Sequence, residues 1–229
     1  GLDGLVLDVK LGSGAFMKTA EDARALAQAL VTTANGAGCK TAAMITDMST
    51  PLAPALGNAV EVAVCMEVMS GNQAAAPRLH DLTVALGARL LSLHGATEDE
   101  AAERLRTAIA SGAALEKFAQ MIEALGGPPD MADDWRTHLP KAPVVGDVVA
   151  RNDGYINAID AEALGMAVVG LGGGRRVETD KIDSAVGLTD VAGVGVRVTR
   201  GQPLCVIHAR NADEAEAAAA AVLNAVTLG

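Results

Sequence analysis

The residues with the clearest chemical potential lie in one glycine-containing loop near the start of the chain. Gly12, Ser13 and Gly14 follow a mostly apolar run, and Phe16 stands two residues further on. Glycines let a backbone turn tightly and lie close to a ligand, and the N–H groups of such a loop can bind phosphate. Phe16 can stack on a planar ring. The alternative is a structural strand–helix turn in which Phe16 packs the loop down.

Two further charged groups invite a functional reading. Asp8 and Lys10 lie two residues apart, so they share one face of a strand. They could touch a substrate, but we favour an internal ion pair that supports the loop. The segment Gly172–Arg176 joins three glycines to two arginines, a composition that suits phosphate. No helix start follows it, so we favour a structural turn with solvated or ion-paired arginines.

The histidines, cysteines and serines give no catalytic or metal-binding pattern. No two histidines stand at i, i+4 spacing, no serine lies in a GxSxG context, and the three cysteines are far apart. We therefore expect no metal site built on histidine, no serine hydrolase, and reduced thiols in a cytoplasmic protein. The residues considered are His80, His94, His138, His208, Ser13, Ser49, Ser70, Cys39, Cys65 and Cys205.

The glycine loop needs a strand before it and a helix after it. The apolar run at 5–11 predicts a buried strand, the pattern from Thr19 predicts a helix over 19–35, and 40–47 predicts a second strand. Strand, helix and strand in about 45 residues form a βαβ unit with a right-handed crossover. The carboxyl ends of both strands then meet at one edge of the sheet, where ligands bind in open α/β sheets.

The remaining chain divides into a helical and a β-rich part. Residues 57–126 predict four successive helices, and the composition changes near Pro140. The fold class is therefore α/β, with a parallel βαβ sheet flanked by helices and then a smaller β-rich α+β subdomain that ends in a helix from Asn211. We divide the chain into 1–139 and 140–229. The predicted β-rich runs are 144–150, 154–159, 166–171, 194–198 and 204–209.

Composition restricts the partners. The 229 residues carry a formal net charge of −10, which argues against nucleic acid and anionic membranes, because both need a basic surface. No apolar span of 18 residues occurs, so no membrane partner is expected. A small anionic substrate remains compatible with a local nest of N–H groups. Because the chain begins almost inside a strand, we expect it to be a piece of a longer protein.

Four segments together resemble one enzyme family. They are LVLDVKLGSGAFM at 5–17, TDMSTPLAPALGNAVEV at 46–62, LGMAVVGLGGGRRVETDKIDSAVGLTD at 164–190 and GQPLCVIHA at 201–209. In order and spacing they resemble thymidine phosphorylases and pyrimidine nucleoside phosphorylases over essentially the whole chain, with the bacterial thymidine phosphorylase branch nearer. Four agreeing motifs are far more specific than any one of them.

The resemblance implies phosphorolysis of thymidine to thymine and 2-deoxyribose 1-phosphate. It implies that the catalytic residues and the phosphate loop lie upstream of this chain, in a missing N-terminal part of the same enzyme. Phosphate would be a co-substrate and no cofactor is expected. Phe16 would border the base, with Met17 and Gly14 beside it. The complete enzyme would be a homodimer, and this piece alone would be inactive.

The resemblance also raises a metal site and two alternatives. Some family members bind potassium through carbonyls that match Leu52 and Ala55, plus a glutamate that would fall at Val64, so that site is doubtful here. A related nucleotide phosphorylase is one alternative. The other is a non-catalytic binding or carrier-like module in the β-rich part, because Asp180-Lys181-Ile182 resembles a biotinyl or lipoyl lysine turn. In those carriers, however, the lysine turn follows the strand that here comes after it.

Overall fold

The computed structural model describes residues 2–229, a mixed α/β structure with eight α-helices in this described part. The mixed α/β class is confirmed. The parallel arrangement is present in a two-stranded sheet, while the other two sheets are antiparallel. Within residues 2–229, no helix has the length and apolar character needed to cross a bilayer.

The first three elements form the predicted strand–helix–strand unit. Strand β1 spans Leu5–Leu11, helix α1 spans Ala20–Gly36 and strand β2 spans Thr41–Asp47. The strands are parallel and in register to their last residues, where Leu11 lies opposite Asp47. The loops that follow β1 and β2 therefore leave the sheet side by side.

A layer of helices follows, and it contains one more helix than we predicted. The four predicted helices are present, and an unpredicted one comes after the Gly-Pro segment. That last helix is short, rich in charge and kinked at Asp134, so its apolar periodicity is weak. Trp135 nevertheless buries its ring beside Met66. The helices are α2 Asn58–Met69, α3 Pro77–Ser92, α4 Glu98–Ala110, α5 Ala113–Ala124 and α6 Met131–His138, with a short 3₁₀ helix Gln73–Ala75 after α2.

The C-terminal part holds two small antiparallel sheets and two helices. One sheet has the order β3-β6-β8-β4 and the other the order β7-β5-β9. Because β3 lies in the first predicted segment, the four-stranded sheet has members from both segments; the division at 139/140 stays a prediction. The elements are β3 Ala55–Leu56, β4 Val144–Val149, β5 Gly154–Ile159, α7 Ala161–Gly170, β6 Gly187–Thr189, β7 Arg197–Val198, β8 Pro203–Ala209, α8 Ala212–Ala225 and β9 Val226–Leu228.

One predicted strand is wrong. The apolar run at 166–171 lies mostly inside helix α7. Asp160 caps that helix, since its carboxylate accepts a hydrogen bond from the N–H of Ala163 at 2.9 Å. Leu164 and Val168, one helical turn apart, bury the same face. A short apolar run fits a buried strand and a buried helix equally well, and here the cap and the packing select the helix.

Candidate functional site

The loops after β1 and β2 are joined by backbone hydrogen bonds. The N–H of Met48 donates to the carbonyl of Leu11 at 2.7 Å, and the N–H of Gly14 donates back to the carbonyl of Met48 at 3.0 Å. The N–H of Gly12 donates to the carbonyl of Met17 at 3.1 Å within the first loop. Residues 12–17 and 47–51, which we call the glycine-loop edge, thus form one bonded unit at the carboxyl ends of both strands.

Both glycines are needed for the close approach of these loops. Gly12 has φ +132°, and a Cβ added there would lie 2.4 Å from the Oγ of Ser49. A Cβ on Gly14 would lie 2.7 Å from the carbonyl oxygen of Met48. Because the N–H groups of both glycines are already bonded within the protein, the loop lacks the free donors of a phosphate cradle. The glycines serve loop packing.

Phe16 and Met17 face different surroundings. Phe16 is 98% exposed. Met17 packs on the small core of Val9, Ala23 and Ala27 beneath helix α1. The suggestion that Phe16 packs the loop down is therefore wrong, and Met17 is the residue that anchors it. That Phe16, Met17 and Gly14 border a bound base stays a prediction.

The ion pair predicted between Asp8 and Lys10 is confirmed. Lys10 Nζ lies 2.5 Å from Asp8 Oδ2. The hydroxyl of Thr46, on the neighbouring strand, donates to Asp8 Oδ1 at 2.5 Å and accepts from Lys10 Nζ at 3.0 Å. The three side chains satisfy one another across β1 and β2, just before the glycine-loop edge.

Arg78, at the start of α3, holds the second loop from below. Its Nη1 donates to Thr50 Oγ1 at 2.6 Å and to the carbonyl of Pro51 at 3.3 Å, and its Nη2 lies 3.3 Å from Asp47 Oδ2. Asp47 Oδ1 accepts from the N–H of Ser49 at 3.0 Å. Hydrogen bonds from Ser49 and the nearby Arg78 guanidinium lower the pKa of the Asp47 carboxyl, against a smaller opposing effect of burial.

Lys18 connects the first loop to the C-terminal part. Its Nζ donates to the carbonyl of Ser13 at 2.6 Å and to Glu162 Oε2 on α7 at 3.2 Å. The side chain of Ala161 lies 3.0 Å from where a Cβ on Gly14 would stand. The start of α7 therefore packs against the glycine-loop edge.

The proposed potassium ligands match the expected set only in part. Leu52 and Ala55 line a cavity of 250 Å³ next to the glycine-loop edge. Val64, where the family has a glutamate, supplies no oxygen and does not line this cavity. Glu61 does, but its Oε1 already accepts from the N–H of Gly57 at 2.8 Å. Among the described residues, no group of three or more His, Cys, Asp or Glu side chains is arranged for a metal. We route no chemistry through a cation.

The turn at Gly172–Arg176 is structural, as we predicted. The carboxylate of Asp180 accepts from the N–H groups of Arg176 at 2.9 Å and Val177 at 3.1 Å. These two hydrogen bonds lower the pKa of Asp180. The donors that a phosphate would need are therefore bonded to the protein's own carboxylate. Lys181 follows in a segment without regular secondary structure, and not in a turn between two strands.

Sequence reasoning missed Arg78, Lys18 and Glu162. Arg78 lies 31 positions from Asp47, and Lys18 lies 144 positions from Glu162. Nothing in their neighbours distinguishes them from ordinary exposed charges. Pro77 at the first position of α3 marks the helix start, but it does not reveal the partners of the arginine that follows.

Comparison with known proteins identifies the family. Residues 1–115 match the profile of the glycosyl transferase family, a/b domain, and residues 155–229 match that of the pyrimidine nucleoside phosphorylase C-terminal domain. The whole chain is 50% identical over 231 aligned residues to a protein named thymidine phosphorylase from Burkholderia lata, and 49% identical to proteins of that name from Burkholderia cenocepacia and Burkholderia orbicola. It spans about half, 52%, of their length. The chain therefore belongs to the thymidine and pyrimidine nucleoside phosphorylase family of glycosyltransferases.

Proposed function

We propose that this chain forms part of a thymidine phosphorylase, in which the glycine-loop edge carries the wall of the nucleoside pocket. The observation that carries the proposal is identity of about one residue in two, over the whole chain, to proteins named thymidine phosphorylase. The geometry supports it because a rigidly bonded loop presents the exposed Phe16 ring at the carboxyl edge of a parallel strand pair.

The reaction transfers a deoxyribosyl group from thymine to phosphate. A phosphate oxygen forms a bond to C1′ while the bond from C1′ to the base nitrogen breaks. The electron pair of that bond leaves with the base, which then takes up a proton. Positive charge develops on the sugar and negative charge on the base, so hydrogen-bonding and cationic groups near the base stabilise the transition state.

The residues of this chain contribute positioning to that reaction. Phe16 offers an apolar ring face for the base, and the hydrogen bonds of Gly12, Gly14 and Met48 fix the loop that carries it. No catalytic residue is assigned within these residues. The proposal places the phosphate ligands and the groups that bind the departing base in the half of the relatives' length that this chain does not span.

The proposal extends to the assembly and its surroundings. The complete enzyme would be a homodimer in the cytoplasm, with phosphate as co-substrate and no cofactor. A nucleotide phosphorylase would use the same bond changes on a phosphorylated nucleoside, and steady-state comparison of thymidine with thymidine 5′-phosphate distinguishes the two. A carrier role is not favoured by any observation, since Lys181 lies outside a strand–turn–strand; the intact mass would reveal an adduct.

The role of Phe16 is tested by Phe16→Ala in the complete enzyme. Loss of the ring should raise the KM for thymidine by about threefold to tenfold, because an aromatic contact contributes on the order of 1 kcal/mol beyond burial. The KM for phosphate should stay within about twofold. Leu125→Ala, which alters another exposed apolar side chain far along the chain, is the control. Equal increases in both KM values would mean that the loop is scaffolding.

A second test uses the 229 residues alone. Incubated with thymidine and phosphate, they should release no thymine, as followed by ultraviolet absorbance, because the proposal puts the reacting groups outside them. Clear turnover would contradict the proposed division of labour while leaving the family membership intact.

A further inference from the structure

We propose that a second pocket, separate from the glycine-loop edge, binds a small organic carboxylate with an apolar body. The pocket has a volume of 450 Å³ and lies where α2, α6 and the segment before β4 meet β4 and β8. We call it the Trp135 pocket after the tryptophan in its wall. None of its lining residues belongs to the glycine-loop edge. The inference does not depend on the proposed phosphorolysis.

The walls of the Trp135 pocket are mainly apolar. Small side chains of α2, including Ala59 and Ala63, form one side, and Leu139 and Val145 contribute others. Val145 is 58% exposed although it is aliphatic, so a ligand seated against it removes apolar surface from water. A concave apolar pocket of this size with few polar groups is the ordinary form of a small-molecule site.

The charge of the pocket is opposite to that of the chain. The chain carries a net charge of −10, yet no aspartate or glutamate occurs among the described residues that line this pocket. Arg136 lies over the Trp135 ring, 4.1 Å from its centroid, and pairs with Glu67, so it forms part of the wall. Lys141 has no ion-pair partner within residues 2–229. One unpaired cation suits one carboxylate.

His208 supplies a polar group without adding a second fixed charge. Its Nε2 is 3.0 Å from Thr189 Oγ1, and that contact fixes the orientation of the ring. Burial lowers the pKa of His208, with a smaller opposing effect from Asp190, which favours a neutral ring at neutral pH. A neutral imidazole that lines the pocket offers hydrogen bonding and no extra cation, so a monoanion is favoured over a phosphate dianion.

These observations define the ligand by class: an aryl or alkyl monocarboxylate of about ten to fifteen non-hydrogen atoms, a size that fits such a pocket. Its body would lie against Val145 and the alanines of α2, and its carboxylate would lie toward Lys141. Trp135 is the only tryptophan of the chain, so its fluorescence reports on this pocket alone.

The test titrates the chain with 3-phenylpropanoate and, separately, with 3-phenylpropan-1-ol, which has the same body without the charge. We expect a saturable change in Trp135 emission with a Kd of about 1 mM for the acid, and weaker binding of the alcohol. Lys141→Met should weaken binding of the acid by about threefold to fivefold and leave that of the alcohol unchanged. Lys40→Met, which removes an exposed lysine outside the pocket, is its control.

A matched pair on one strand tests the location. Val145→Phe should fill the pocket and abolish binding of both probes. Val149→Phe, on the same edge strand, 42% exposed and outside the lining, should leave binding unchanged. Circular dichroism verifies that both variants fold. If Val145→Phe does not fold, the Lys141→Met comparison still decides.

Four results would overturn the proposal: no saturable signal up to about 10 mM, equal affinities for acid and alcohol, loss of binding in Val149→Phe, or retention of acid preference in Lys141→Met. These limits follow from the millimolar affinity expected of a ligand of this size. A signal that depends on protein concentration would show a second copy of the chain in the pocket and would also overturn it. None of these readouts involves phosphorolysis, so failure here leaves the proposed function standing.

Discussion

The glycine-loop edge and the C-terminal β-rich core are stabilised by different interactions. Beneath the edge, the buried cluster consists of only Val9, Ala23 and Ala27. The C-terminal core holds seventeen buried residues, among them Leu188 and Ile207. The edge instead depends on directed bonds from charged and backbone groups, whereas the core depends on the removal of apolar surface from water.

This difference separates stability from positioning. Burial is strong but has no preferred direction, so a large apolar core can stabilise the fold without fixing a loop at the surface. A fork of hydrogen bonds such as that of Arg78 contributes less free energy but defines where each loop atom lies. A ligand-binding edge that stays open to solvent therefore needs many small directed ties. The four predictions that follow test this contrast.

The largest effect should come from the core. Leu188→Ala removes a fully buried side chain in β6 and should lower the free energy of unfolding by about 2–5 kcal/mol, through lost burial and the cavity left behind. Urea unfolding measures it. Leu125→Ala, an exposed leucine, should change stability by less than about 0.5 kcal/mol. If the two leucines proved equivalent, the C-terminal cluster would not be the main source of stability.

A smaller and local effect should follow Gly12→Ala. The new Cβ would meet Ser49 at a backbone φ that disfavours side chains, at a cost of about 1–3 kcal/mol. Because the loop is at the surface, it should shift, and hydrogen exchange should accelerate at Gly14 and Met48. Gly36→Ala, with open space around it, is the control. Unchanged exchange in Gly12→Ala would show that the loops do not need this close contact.

Arg78→Met should release the second loop with little global change. Loss of bonds to Asp47, Thr50 and Pro51 from a half-exposed side chain should reduce stability by about 1 kcal/mol. Amide exchange should increase at Met48, and amides of β8 should be unaffected. Arg78→Lys, which keeps the charge near Asp47 without the fork, should lie between. Arg24→Met controls for the loss of an exposed arginine. Uniform acceleration across the chain would mean that Arg78 supports the whole fold.

The smallest effect should be a pH dependence carried by His208 in the core. Burial lowers its pKa below the ordinary value of 6.5, so the unfolded chain binds this proton more readily than the folded chain. This contribution to stability is full above pH 6.5 and is lost as pH falls toward the folded pKa. His208→Gln should flatten the profile of unfolding free energy in that window. A profile parallel to that of the parent protein would exclude His208 as its source.

Local signals in the sequence were sufficient for most elements of the fold. The Thr19 cap, the capping box of Thr97 and Glu100, and the apolar strand before Gly12 each predicted an element that the structure contains. They succeed because caps and periodicity act between residues close in sequence. The apolar run 166–171 failed for the same reason, since its neighbours alone do not choose between strand and helix; the Asp160 cap and packing of Leu164 do.

The sequence by itself determined the family, the position of the glycine loop and the Asp8–Lys10 pair, because these reside in contiguous motifs or adjacent strand positions. Only the tertiary structure decided that the glycines serve loop packing, that Met17 anchors and Phe16 projects, and that Arg78 and Lys18 hold the loops. Those contacts join residues far apart in the chain, and their partners are selected by how the elements pack rather than by any local pattern.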